Sequence, residues 1–230
     1  YGYPTSTYEG INVEEMRYEC GKKLAQRDAQ RENVKPDLVA GVPDSGIAHA
    51  IATPMNPAFL FPPVYQIYTD LAPLLHADSA EPEKPHRAHE ADSGGSADKN
   101  KSLLLIDDSI VRGTQLRETT EFLYSSGAKE VHIRPACPPL LFGCPYLTFT
   151  FQIRNGSNHR RIIADREGDN VSEEVLADYA NPDSTNYKEM LEEIGRQLNF
   201  TTLHYHRLDD LTTSIGLSPC KMCTHCFDGK

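Results

Sequence analysis

Tryptophan is absent from these 230 residues, no apolar run approaches the length of a bilayer span, and no stretch reads as a signal peptide. A membrane protein is therefore not expected. Positive charge is scarce as well: 23 Lys and Arg stand against 33 Asp and Glu, a formal net charge of −10. Nucleic acid would be repelled over most of such a surface and is not an expected partner. A small polyanion stays possible, because a local loop or a divalent cation can offset the field. Lys and Arg are missing altogether between Asp37 and Glu83. From His76 to Lys101 there is also no large aliphatic, no aromatic and no cysteine. Such a segment cannot bury enough surface to offset its ordering entropy, so 76–101 is expected as a mobile or disordered loop. A disulfide framework is excluded too. Of six cysteines, Cys220, Cys223 and Cys226 crowd together too closely to pair easily, which favours a reducing compartment. The first residue is Tyr1 rather than Met, and the chain reads as a piece of something longer.

What the chain does have is concentrated between Lys101 and Thr114, KSLLLIDDSIVRGT. Leu103 to Ile106 are consecutive large aliphatics, as expected of a strand buried on both faces of a parallel sheet. The run ends in Asp107 and Asp108, where the carboxyl end of such a strand opens onto a ligand crevice. Ser109 to Thr114 then turns through Gly113 into a helical segment over 114–126. The first N–H groups of a helix have no intrahelical acceptor; with the Ser109 and Thr114 hydroxyls beside them, they suit a phosphate dianion. Carboxylates beside a phosphate cradle make sense for one ligand with both a phosphate and a diol. The acids would accept hydrogen bonds from ribose hydroxyls and favour positive charge developing at a sugar carbon. From the residues alone, a plain strand and capped helix stays open, as does an acid pair holding Mg²⁺ for another nucleotide.

A hydrophobic strand followed by DDSIVRGT resembles the phosphoribosyl-pyrophosphate (PRPP) signature of the type I phosphoribosyltransferases. The Ser-Ile-Val-Arg-Gly version is similar to that of the glutamine-dependent amidophosphoribosyltransferases. The resemblance implies an α/β fold, a central, mostly parallel sheet flanked by helices, with a C-terminal helical and cysteine-containing extension. It implies a phosphoribosyltransferase core over 1–160, the extension over 161–230, and an N-terminal glutaminase domain that these residues do not include. By the same resemblance Asp107 and Asp108 are catalytic, holding the ribose and helping to place Mg²⁺. Ser109, Ile110, Val111, Arg112, Gly113 and Thr114 hold the 5′-phosphate, with a structural salt bridge as the competing role of Arg112. Asp44, Ser45 and Gly46 hold pyrophosphate, Ser45 beside the Mg²⁺.

Elsewhere the chain supplies support. Val13, Met16, Cys20 and Leu24 fall on one stripe of a helix running to about Arg31. Asp37 to Val42 reads as a strand, and Pro43-Asp44-Ser45-Gly46 as a turn into a small-residue helix to about Ala52. Alone that turn is ordinary chemistry; upstream of the central motif it resembles the family's pyrophosphate loop. Residues 53–75 suggest a strand or two between prolines. The family's flexible loop follows here with an aromatic- and Arg-rich pattern that this chain lacks, leaving Lys84, Arg87, His76, His86 and His89 as the lid's candidates. Leu116, Thr120 and Leu123 line a helix closed by Gly127, Glu130 to Arg134 is the next strand, and Tyr146 to Ile153 alternates like another. Residues 160–210 read as helical cover, with a short helix over 171–179 and a capping box from Asn186 to Glu189. His204, His206, Asp209 and Asp210 are expected as solvated polar residues rather than metal ligands.

The chain ends in Cys220-Lys-Met-Cys223-Thr-His-Cys226-Phe-Asp-Gly-Lys. Thiolates at this spacing can hold one metal centre, zinc with a fourth ligand such as His225 or an iron–sulfur cluster. The segment resembles the cluster-bearing amidophosphoribosyltransferases, which implies a 4Fe–4S cluster on Cys144, Cys223 and Cys226. The family's fourth cysteine precedes the segment that Tyr1 begins, and Cys220 is the local candidate to complete the set.

The implied reaction displaces pyrophosphate from PRPP with ammonia, derived from glutamine in the family, and gives 5-phosphoribosylamine with inversion at the anomeric carbon. It is the first committed step of purine synthesis. A cytoplasmic homo-oligomer is expected. The alternatives are a nucleobase phosphoribosyltransferase and a non-catalytic PRPP-binding module, the latter suggested by the missing basic lid.

Overall fold

The computed structural model describes residues 2–31, 34–53, 64–66, 99–144, 146 and 157–230. The lid candidates, nearly all of 76–101 and the strand expected over 146–153 lie outside these residues, Tyr146 alone being placed, in a turn.

The chain opens with a small antiparallel pair, β1 (Thr7–Tyr8) and β2 (Ile11–Asn12). The Asn12 carboxamide accepts from the N–H groups of Glu14 and Glu15 and so caps α1 (Val13–Arg31). Both glutamates also suit the positive end of the helix. β3 (Leu38–Gly41), α2 (Gly46–Ala52) and β4 (Val64–Gln66) follow, then β5 (Ser102–Asp107), α3 (Thr114–Ser125) and β6 (Glu130–Pro135). The remainder is α4 (Asn158–Glu167), α5 (Glu173–Ala180), α6 (Thr185–Gln197), β7 (Thr202–Leu203), α7 (Leu208–Ile215) and a last turn, α8 (His225–Asp228). Among the described residues no helix is long and apolar enough to cross a membrane.

Five strands form one parallel sheet in the order β4-β3-β5-β6-β7. The unbroken aliphatic run of β5 has the expected cause. Leu103 and Leu105 pack into the larger core with α3, α4 and α6, while Leu104 and Ile106 face Leu24, Ala25 and Ala50 of α1 and α2. Each such side chain, fully buried, contributes about 1.5–3 kcal/mol. β6 alternates. Val131 and Ile133 enter the larger core, and Arg134, 1% exposed, bonds Asp28 of α1 at 2.6 Å across the other face.

Three expectations change. Residues 160–210 are not helical cover alone, because Thr202–Leu203 joins the sheet beside β6, extended by His204 N–H to Ile133 O and His206 N–H to Pro135 O. The cap of α6 is Ser184, whose hydroxyl accepts from Tyr187 N–H. Asn186 instead donates to Asp178, and Glu189 pairs with Arg166. His206 is not solvated but 1% exposed, and Asp210 accepts from Arg27, tying α7 to α1.

Candidate active site

The strand order fixes where a ligand can enter. From β3 the chain steps outward to β4, then returns past β3 to β5 and proceeds the other way through β6 and β7. The reversal lies between β3 and β5, and in open parallel sheets the crevice forms beyond the carboxyl ends of the strands at such a point. The loops after β3 and β5 both open there, onto a cavity of about 780 Å³ lined by Val42, Pro43, Ser45 and residues 107–116.

Around the β3 loop the backbone is tightly pinned. Val42 N–H donates to Ile106 O and Gly46 N–H to Val42 O, both at 2.9 Å, so the Gly46 N–H is not available to a ligand. Gly46 is required by packing: a Cβ there would sit 2.3 Å from Ile106 O. Of the three residues expected to hold pyrophosphate, Ser45 reaches the cavity, Asp44 is exposed and Gly46 is buried behind the loop.

Beyond β5, Asp107 Oδ1 accepts from Asp108 N–H at 2.8 Å, and Ser109 Oγ donates to Asp108 Oδ1 at 3.4 Å. Neither acid is ion-paired to Lys, Arg or His among the described residues, so both face the cavity with lone pairs to spare. Burial, and then the neighbouring Asp108 carboxylate, push the Asp107 pKa up to about 8. A carboxyl with a raised pKa at the mouth of a cavity marks a candidate functional group.

Ile110 is buried and anchors the loop, whereas Arg112 and Thr114 are exposed along its rim. Arg112 is the one basic side chain among the described lining residues and makes no ion pair among them. Gly113 is left-handed at φ 71°, and a Cβ on it would meet Asn158 Nδ2 at 2.6 Å and Leu198 Cδ1 at 2.7 Å. Only glycine satisfies both demands. It starts α3 with no side-chain cap, leaving the helix's first N–H groups to the loop side. Asn158 gave no sequence signal, since its closeness to Gly113 depends on a fold spanning more than forty residues.

The cysteine tail is arranged differently. Cys226 O accepts from Leu141 and Phe142 N–H, both at 3.1 Å, which docks the tail on the segment leading to Cys144. Burial raises the Cys226 thiol to about 11, with Cys144 and then Cys223 adding to the effect. Cys220 is exposed, its sulfur 3.2 Å from Ser218 Oγ. Among the described residues no three His, Cys, Asp or Glu side chains are grouped so as to hold a metal ion. Cys137 lies between the two regions; burial, then Asp108 and Asp107, hold its thiol well above the usual range.

A doubly acidic strand end and a hydroxyl-lined, Gly-bent loop at the switch point of a parallel sheet define the type I phosphoribosyltransferase fold. No family model matches the chain. Curated relatives do. The amidophosphoribosyltransferase of Bacillus subtilis is 30% identical over 236 residues, covering 100% of this chain and 42% of its own length. That of Methanocaldococcus jannaschii is 27% identical over 235 residues with the same coverage. Among solved structures, the glutamine PRPP amidotransferase from B. subtilis, complexed with ADP and GMP, superposes with a TM-score of 0.66 at 28% identity. It covers 100% of this chain and 44% of its own. Over its whole length the chain is similar to the C-terminal part of the amidophosphoribosyltransferases, spanning about two-fifths of the relatives' length.

Proposed function

We propose that this chain binds PRPP with Mg²⁺ and carries out the phosphoribosyl half of the amidophosphoribosyltransferase reaction, ammonia displacing pyrophosphate to give 5-phosphoribosylamine. The observation that carries the reading is the single cavity into which Ser45, Asp107, Asp108 and the 109–114 loop all open. The loop and the start of α3 hold the 5′-phosphate through backbone N–H groups, with Ser109 and Thr114 adding hydroxyls. Asp107 and Asp108 accept from the ribose 2′- and 3′-hydroxyls and stabilise positive charge at the anomeric carbon as the bond to pyrophosphate lengthens. Ser45 and Asp44 take the pyrophosphate side. Asp107, Asp108 and Ser45 suit a hard, oxygen-seeking cation, and bound Mg²⁺ would neutralise the leaving group's charge. A dication would also offset the burial and, after it, the Asp108 charge that together raise the Asp107 pKa. In the longer relatives a glutaminase part would deliver the ammonia, and assembly into a homo-oligomer in the cytoplasm fits the same reading.

For the tail the reading is a 4Fe–4S cluster on Cys144, Cys223 and Cys226, with Cys220 or a thiolate from outside these residues as the fourth ligand. It is supported by the spacing and by the closeness of Cys144 and Cys226. The described geometry does not by itself gather the set, so metal and tail would have to fold together. Iron and sulfide analysis of anaerobically purified protein, with about four irons expected per chain, tests this; a colourless zinc protein would sink it.

The activity is tested by ammonia-dependent pyrophosphate release from Mg-PRPP. Turnover that falls at least about a hundredfold in Asp107→Ala is expected. Tight PRPP binding without release would favour a regulatory module, and adenine- or guanine-dependent release a nucleobase transferase.

A further inference from the structure

The phosphate loop rests on a residue that no motif marks. Asn158, the first residue of α4, is 4% exposed and lies directly beneath the loop. Its backbone N–H donates to Val111 O at 3.0 Å, and its carboxamide nitrogen occupies the space a Gly113 side chain would need. The carboxamide oxygen accepts from Arg161 at 3.4 Å, which turns the nitrogen toward the loop. That nitrogen is fully buried and has no acceptor among the described residues. A buried donor without an acceptor costs free energy comparable to a lost hydrogen bond, so its retention calls for an explanation. Ser157, also buried, caps α4 through its hydroxyl and fixes where Asn158 begins.

We infer that Asn158 is a positioning residue for phosphomonoester binding. It holds the 111–113 backbone in place through Val111, and its carboxamide nitrogen takes a loop carbonyl when the loop tightens around a sugar 5′-phosphate. This rests on the reading of loop 109–114 as the 5′-phosphate site. Nothing in the arrangement reaches the β3 loop, where pyrophosphate is placed, so the effect is specific to one end of the substrate.

Calorimetric titration of the full chain with ribose 5-phosphate, and separately with Mg-pyrophosphate, reads this directly. Asn158→Ala is expected to weaken ribose 5-phosphate about tenfold and to leave Mg-pyrophosphate within about twofold. Asn158→Asp keeps the shape but replaces the donor by an acceptor bearing negative charge, and should weaken ribose 5-phosphate further. It carries the test if the alanine variant fails to melt cooperatively. Steady-state kinetics should show the loss in KM for PRPP rather than in kcat. Variants that bind ribose 5-phosphate like the wild type, or that lose both ligands equally, would overturn the inference while leaving the site reading intact. A wild-type chain that binds neither ligand would remove that reading and this inference with it.

Discussion

The strand-end loop and the cysteine tail are both short, motif-like segments, yet the fold treats them differently. Residues 107–114 are held by the sheet behind them: Ile106 O accepts from Val42, Asp107 O accepts from Ala136 N–H at 2.7 Å, and Val111 O is bonded by Asn158. The backbone that carries the acids and the loop donors is thus anchored by the fold itself, and only a local tightening of 111–113 is left to the ligand. Among the described residues the tail is tied down by the two bonds to Cys226 O, by the neighbouring Cys144 and Cys226 thiols, and by Phe142 against His225 with ring centroids 6.0 Å apart. Its thiols are neighbours without being a ligand set. A site made by backbone geometry is fixed by folding; one made by side chains around a metal waits for the metal.

The sharpest way to break this contrast is to disturb the loop without touching the tail. Gly113→Val should strain a left-handed backbone and collide with Asn158 and Leu198. It is expected to lower stability by about 2–4 kcal/mol and abolish measurable ribose 5-phosphate binding, with the iron content unchanged. Cys226→Ser is the reciprocal change. It should remove bound iron and make the stretch after Leu217 protease-sensitive, while ribose 5-phosphate affinity stays within about threefold. Loss of sugar-phosphate binding in Cys226→Ser would show that the two regions are not independent.

A smaller effect separates the regions by pH. The Asp107 pKa is raised in the folded chain, so the unfolded chain releases this proton first. Stability from this group is complete below about pH 4 and is lost as pH rises toward about 8. Asp107→Asn should therefore be more stable than the wild type at pH 8, by about 1–3 kcal/mol in denaturant unfolding, and the two should converge near pH 4. Smaller still is the contribution of His206, held neutral by burial with its pKa down to about 4. Here the unfolded chain takes up the proton first, so stability falls as pH drops from about 6.5 toward 4. His206→Gln should flatten that fall by up to about 1 kcal/mol, read from melting temperatures across the range.

Much of the site was legible because it is local. An unbroken aliphatic run, two acids and a glycine bend are features of consecutive residues, and α1, α3 and β6 follow from periods that a window can count. The rest is defined by partners far along the chain. Thr202–Leu203 is too short to carry an alternation and is a strand only because Val131, Ile133 and Pro135 offer it acceptors. Burial of His206 follows from that pairing. Ser184 rather than Asn186 caps α6 because the chain is already extended there (ψ 158°), a choice composition does not reveal. Asn158 could be found only by asking what fills the space under Gly113.

The central claim is that one sugar phosphate spans the loop and the acid pair. A crystal structure of the chain with ribose 5-phosphate tests it most directly. The account predicts the phosphate within hydrogen-bond distance of the 109–114 backbone and the 2′- and 3′-hydroxyls on Asp107 and Asp108. A phosphate bound elsewhere, or a sugar turned away from both acids while the loop stays open, would contradict it.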